Sequence, residues 1–138
     1  MLERRKRILI VDENEHILLP VKNMLEYHYF FKFNIDTYAN VQEALSSFNP
    51  DYYDLVLIGV RMSPMNGFEV CQELQKKTLQ YKSKPKFGFI TTFCPYRQIL
   101  EEDYPELKVD CFIVVPMDPD KLANIIKCLK DNKVQNSL

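Results

Sequence analysis

Leu55-Val56-Leu57-Ile58 is an unbroken run of branched apolar residues, and the chain leaves it through Gly59-Val60-Arg61-Met62-Ser63-Pro64-Met65-Asn66-Gly67. A short apolar run with no polar residue alternating into it describes a strand covered on both faces. Parallel sheets are made of such strands, because their crossover helices lie on both sides. The neighbouring segments repeat the pattern. Arg7-Ile8-Leu9-Ile10-Val11 is nearly continuous in apolar residues and ends at Asp12-Glu13-Asn14. Lys86 to Thr91 and Cys111 to Val115 read as further strands, the last one ended by Pro116. Phe33 to Tyr38 is weaker: Asn34 and Asp36 alternate with Phe33, Ile35 and Thr37, which predicts a strand near the sheet edge.

Amphipathic stretches separate these runs. Ile17, Leu18, Val21, Met24 and Leu25 fall at helical spacing, with Pro20 early enough to be tolerated or to mark a slight bend. A short helix through Val41, Ala44, Leu45 and Phe48 stops before Pro50. The third runs from about Gly67 through Phe68, Val70, Cys71 and Leu74, and fades into the polar segment Lys76 to Lys84. The fourth has Cys94 before Pro95 and is closed by Pro105. The last has Asp118 at its N-cap, Pro119 behind it, and a stripe of Leu122, Ile125, Ile126 and Leu129. This alternation is the mark of an α/β domain. Residues 1–131 read as one domain and 132–138 as a polar C-terminal tail.

The chain has 138 residues, with 18 Lys and Arg against 19 Asp and Glu and 46% hydrophobic residues, which is one domain of ordinary size. The near-neutral balance argues against a nucleic-acid binder, whose footprint is strongly basic. The basic run Arg4-Arg5-Lys6-Arg7 abuts a strand and reads as a solvated strand entry. No stretch approaches the roughly 18–20 apolar residues of a membrane span, and Ile8 to Val11 is too short for a signal-peptide core. A cytoplasmic protein without a membrane partner is therefore expected. Cys71, Cys94, Cys111 and Cys128 lie far apart, with only His16 and His28 to join them, so a zinc site is unsupported. Each cysteine reads as a small buried hydrophobe ahead of a redox or ligand role. Tyr27-His28-Tyr29-Phe30-Phe31 reads as core and helix cover.

In an open parallel sheet the ligand site lies beyond the carboxyl ends of the strands, where strand order reverses. The residues arriving there are Asp12, Glu13 and Asn14, then Gly59 to Met62, Thr91 and Thr92, and Val115-Pro116. On these residues the chain resembles the receiver domain of two-component response regulators, the CheY-like superfamily, over essentially its full length. Ile8-Leu9-Ile10-Val11-Asp12-Glu13-Asn14-Glu15 resembles the first strand with its acidic pair. Tyr53-Asp54-Leu55-Val56-Leu57-Ile58, Val60-Arg61-Met62 and Met65-Asn66-Gly67 resemble the phosphoacceptor strand and its loop. Thr91-Thr92 matches the switch hydroxyl and the small residue after it, and Phe112 the switch aromatic. Val115-Pro116 with Asp118-Pro119-Asp120-Lys121-Leu122 matches the end of the domain. Any one match is weak; their order makes them strong together.

The resemblance implies a three-layer, flavodoxin-like (βα)5 domain with a five-stranded parallel sheet of order 2-1-3-4-5. It also implies a phosphoryl group moved from a histidine kinase to an aspartate after the third strand, beside a magnesium ion on the acidic pair. A lysine after the fifth strand pairs with that group, and the switch residues relay the change to the fourth-helix, fifth-strand and fifth-helix face. Here the resemblance puts Gly59 at the phosphoacceptor and Val115 at the lysine, and neither side chain can play the part. Ser63-Pro64 also departs from the usual Pro directly after Met62. No cofactor is expected, and magnesium at Asp12 and Glu13 is expected to be weak or absent, since one direct carboxylate is lost. An acidic pair without its cation should have one carboxyl pKa raised unless a positive group approaches. Arg61 is the nearest cation in sequence, and two placements stand open: paired with Asp12 and Glu13 in the space left by Gly59, or at the surface.

The expected function is that of a stand-alone pseudo-receiver, not an enzyme, acting in signal transduction by phosphorylation-independent protein binding. The expected partner is a histidine kinase, an output protein or a second copy of the chain. The expected face comprises Tyr96, Arg97, Leu100, Phe112, Val114, Lys121 and Asn124. Thr91 reads as a satisfied hydroxyl and Phe112 as a buried ring. Ser63 and Thr92 have no base beside them. The alternative is a small-molecule or nucleotide sensor using the pocket left by Gly59, against which stands the lack of a Gly-rich phosphate loop. Asp12, Glu13, Thr91 and Arg61 make no nucleophile–base pair or metal set, which disfavours an enzyme.

Overall fold

The computed structural model describes residues 5–27, 32–92 and 96–130, and strand alternates with helix throughout them. The order is β1 (Lys6–Val11), α1 (Glu15–Glu26), β2 (Phe33–Tyr38), α2 (Val41–Ser47), β3 (Leu55–Gly59), α3 (Gly67–Thr78), β4 (Lys86–Thr91), α4 (Tyr96–Asp103), β5 (Cys111–Val114) and α5 (Pro119–Lys130). All pairings are parallel, in the order β2-β1-β3-β4-β5. Arg4, residues 28–31, Cys94, Pro95 and the tail from 131 lie outside the described residues.

The period-two alternation of strand side chains divides the core into two layers. Val56 and Ile58 of β3 pack with α2 and α3, while Leu55 and Leu57 pack with α1 and α5. All four are fully buried, each worth roughly 1.5–3 kcal/mol relative to exposure. β2 pairs with β1 alone and exposes Asn34 and Asp36, as its alternating sequence requires. Two carboxylates clamp the amino-terminal ends of the strands. Asp54 Oδ2 accepts from Arg7 N–H at 2.8 Å and Asp110 Oδ2 from Phe87 N–H at 2.9 Å.

Several local readings need adjustment. β5 ends at Val114, one residue early, although Val115 N–H still donates to Thr91 O at 2.8 Å. Pro20, by contrast, is tolerated inside α1 as its early position allows. Arg7 is no free charge at a strand entry: its guanidinium lies 4.2 Å from the centre of the Tyr52 ring. Tyr27, expected to cover the core, is 81% exposed at the end of α1.

Candidate functional site

The carboxyl ends of β1, β3 and β4 bring Asp12, Val60, Ile90 and Thr91 around a cavity of about 130 Å³, with Asn14, Ile17, Arg61 and Thr92 completing its wall. The exit of β3 is held in place by α3. Gly67 N–H donates to Val60 O at 2.8 Å. A Cβ on Gly67 would stand 2.1 Å from Gly59 O, so only glycine allows α3 to begin this close to the end of β3. Asn66 and Glu69 lock that start with a capping box, Glu69 N–H to Asn66 Oδ1 and Asn66 N–H to Glu69 Oε1, both at 2.9 Å. The Asn66-x-x-Glu69 spacing carries this signal in the sequence, beyond the residues singled out from it.

Asp12 is 2% exposed. Its Oδ1 accepts from Asn14 N–H at 2.9 Å, while its Oδ2 is buried with no hydrogen-bond partner among the described residues. A Cβ on Gly59 would lie 2.3 Å from that Oδ2 and 2.5 Å from Cγ. The Asp12 carboxylate therefore fills the space in which a side chain at 59 would begin. This corrects the expectation of a ligand pocket left by Gly59: the residual cavity is well below the roughly 300 Å³ at which small-molecule sites begin. Burial is the main cause that pushes the Asp12 carboxyl up to about 6, the Asn14 N–H opposes it, and the Glu13 charge adds to it. Mutual repulsion of the acidic pair, the cause expected from sequence, is thus the lesser one.

Arg61 does not join the acids. It is exposed, and its Nε donates to Tyr96 Oη at 2.7 Å. This bond to Tyr96 raises the Arg61 pKa. Of its two open placements, the surface one holds. Glu13 is exposed as well, and its Oε2 accepts from Ser63 N–H at 3.4 Å. Glu13, Arg61, Ser63, Phe68, Tyr96 and Tyr104 line part of a second, open groove of about 500 Å³ between the β3–α3 loop and α4.

Val115 packs at the margin of the aliphatic layer beside α1 and α5, where it adds apolar wall and no charge. Thr91 is 4% exposed at the end of β4. Phe112, expected to be buried, is half-buried: its ring centre lies 6.0 Å from that of Phe89, and the Arg97 guanidinium lies 5.7 Å from it on the outside. Arg97 and Phe112, two residues of that face, are thus brought together. Tyr96 and Leu100 instead turn toward the aromatic layer shared with α3. Lys121 is engaged with its own helix start, donating to Pro116 O at 2.8 Å and standing 3.7 Å from Asp118 Oδ2. Val114 is half-buried and Asn124 exposed.

An open parallel sheet of order 2-1-3-4-5 with a buried acid after its first strand defines a flavodoxin-like α/β domain of the CheY class. Residues 8–127 match the response regulator receiver domain, and the chain belongs to that family. It is 24% identical over 132 residues to the response regulator ArlR of Staphylococcus aureus, covering 96% of this chain and 56% of the relative. The chain thus spans little more than half the length of the curated relatives it matches. The receiver domain protein (CheY-like) of Methanospirillum hungatei superposes with a TM-score of 0.75 at 23% identity, over 96% of this chain and 99% of that one. The response regulator protein TrrA of Thermotoga maritima, solved in complex with Mg²⁺ and BeF, does so with 0.64 at 32% identity, over 90% and 98%.

The acidic pair is where a receiver domain holds magnesium, and the side chains here do not fit that ion. Asp12 Oδ2 is packed over Gly59, Glu13 faces the other groove, and β3 ends without a carboxylate. Among the described residues no helix is long and apolar enough to cross a membrane.

Proposed function

We propose that this chain serves two-component signalling as a pseudo-receiver, one that acts by docking a protein partner and not by accepting a phosphoryl group. One observation carries the reading: the Asp12 carboxylate lies 2.3 Å from where a Cβ at residue 59 would stand. The family's acceptor position is thus both without a side chain and filled by a neighbour. Val115, at the lysine position, adds an apolar contact where a phosphoryl group would need a cation. Among the described residues at this end of the sheet, no accessible nucleophile stands beside a base, and the proposal includes no catalysis.

The proposed docking face is the one formed by α4, β5 and α5, centred on Arg97 over Phe112 and continued by Val114 and Asn124. An exposed Arg stacked on an aromatic ring is the residue pairing that protein interfaces favour. A histidine kinase or an output protein is the partner class that follows.

The test is incubation of the full chain with acetyl phosphate, and separately with beryllofluoride and Mg²⁺. The intact mass and the amide resonances of Asp12, Gly59 and Thr91 are expected to stay unchanged. A stable acyl phosphate on Asp12, or a beryllofluoride-dependent shift reaching Phe112, overturns the proposal.

A further inference from the structure

Cys111 on β5 and Cys128 on α5 lie in the same aliphatic layer, with Ile90, Ile113 and Ile125 around them. Their thiols hydrogen-bond to each other. Gly88 provides the room for this meeting. It is paired with Cys111 across the β4–β5 ladder, and a Cβ there would stand 2.3 Å from Cys111 Sγ. The Lys86 ammonium donates to the Cys128 carbonyl, and its charge also reaches Cys111. Cys111 is half-buried and Cys128 is 6% exposed, whereas Cys71 sits across the sheet in the aromatic layer.

We propose that Cys111 and Cys128 are a modification site, a thiol pair that hydrogen peroxide oxidises to a disulfide tying β5 to α5. Cys111, the more exposed, reacts first. Its sulfur attacks one peroxide oxygen, the O–O bond breaks, and the released hydroxide takes the thiol proton as water. Cys128 sulfur then displaces hydroxide from the Cys111 sulfenic acid, and the Cys128 proton leaves with it as a second water. Two electrons pass from the two sulfurs to the peroxide. The hydrogen bond to Cys128 and burial push the Cys111 thiol well above its usual range, so the reaction is slow at neutral pH and quickens as pH rises. A bond here joins two of the three elements that carry the proposed docking face, β5 and α5, but its formation is read without any partner and stands apart from that proposal.

The experiment treats the reduced, folded full chain with hydrogen peroxide and maps its peptides without reduction. The expected result is a species lighter by two hydrogens, in which the Cys111 and Cys128 peptides are linked. It should melt roughly 5 °C higher and revert with dithiothreitol. The link should persist in Cys71→Ser and Cys94→Ser and vanish in Cys111→Ser and Cys128→Ser. Peptide mapping of the unsubstituted chain decides the matter even where a serine variant fails to fold. Oxygen adducts on Cys111 or Cys128 without a link, links through Cys71 or Cys94 instead, or no reaction at raised pH overturn the proposal.

Discussion

Helices α3 and α4 follow one another on the same face of the sheet, yet they are held in opposite ways. α3 buries Gly67, Phe68, Val70, Cys71, Leu74 and Thr78 and is locked at its start by the Asn66–Glu69 capping box. α4 buries no residue fully. Its attachment runs through the half-buried Tyr96 and Leu100 and through the Arg61–Tyr96 hydrogen bond. One helix is part of the core and the other rests on it. Local opening needs least free energy where few apolar contacts are lost, so α4 is the element of this face most easily displaced. That suits a helix forming one side of the proposed docking face.

The sharpest way to break this contrast is to truncate one apolar side chain in each helix. Leu74 is fully buried, and Leu74→Ala is expected to cost about 3–4 kcal/mol through lost burial and the cavity left behind. Leu100→Ala, at a half-buried position, is expected to cost about 1 kcal/mol or less. Urea unfolding of both variants measures the difference. Equal losses would mean that α4 is as much a part of the core as α3.

A second effect, somewhat smaller, tests the buried end of β1. Asp12 has its carboxyl raised from 3.8 to about 6. The folded state therefore holds this proton more tightly than the unfolded chain does. The sign follows: Asp12 favours folding below about pH 4, and this contribution is lost as pH rises through about 6. The full loss is about 3 kcal/mol at most. Asp12→Asn keeps the acceptor for Asn14 N–H and removes the charge. It is expected to be more stable than the parent by about 1–3 kcal/mol at pH 7 and equal to it near pH 3. Unfolding midpoints across that range check the prediction. An Asp12→Asn variant that is less stable at pH 7 would show that the charged carboxylate has a partner and is not merely trapped.

These two regions also differ in how far the sequence discloses them. Leu55 to Ile58 announce a strand because every side chain there is buried, whichever layer it enters, and Asn34 and Asp36 announce an edge because only one side is covered. Such patterns are local. The placement of Asp12 is not, since it depends on a gap at Gly59, a residue 47 positions away that only the β1–β3 pairing brings alongside. Sequence proximity suggested Arg61 as a cation for the acids, but its partner proved to be Tyr96, 35 residues on. Val115 reads as strand because it is apolar and its N–H continues the ladder, yet regular pairing stops at Val114. The residues of the site were legible; which of them touch was not.

The Arg61–Tyr96 bond is the smallest effect on which the contrast can be tested, and it isolates the tether of α4 from its packing. Tyr96→Phe keeps the ring against Phe68, whose centre is 6.3 Å away, and removes only the oxygen that accepts from Arg61 Nε. Global stability should hardly change, because the bond itself lies at the exposed surface. The side-chain Nε–H resonance of Arg61 should, however, exchange with water much faster than in the parent, and amides in the second turn of α4, which bond back to first-turn carbonyls, should lose protection while those of α3 keep theirs. Loss of protection in both helices would mean that the tether acts through the core. No loss in either would mean that Tyr96 and Leu100 hold α4 by packing alone, and the contrast with α3 would then be one of depth of burial and not of kind.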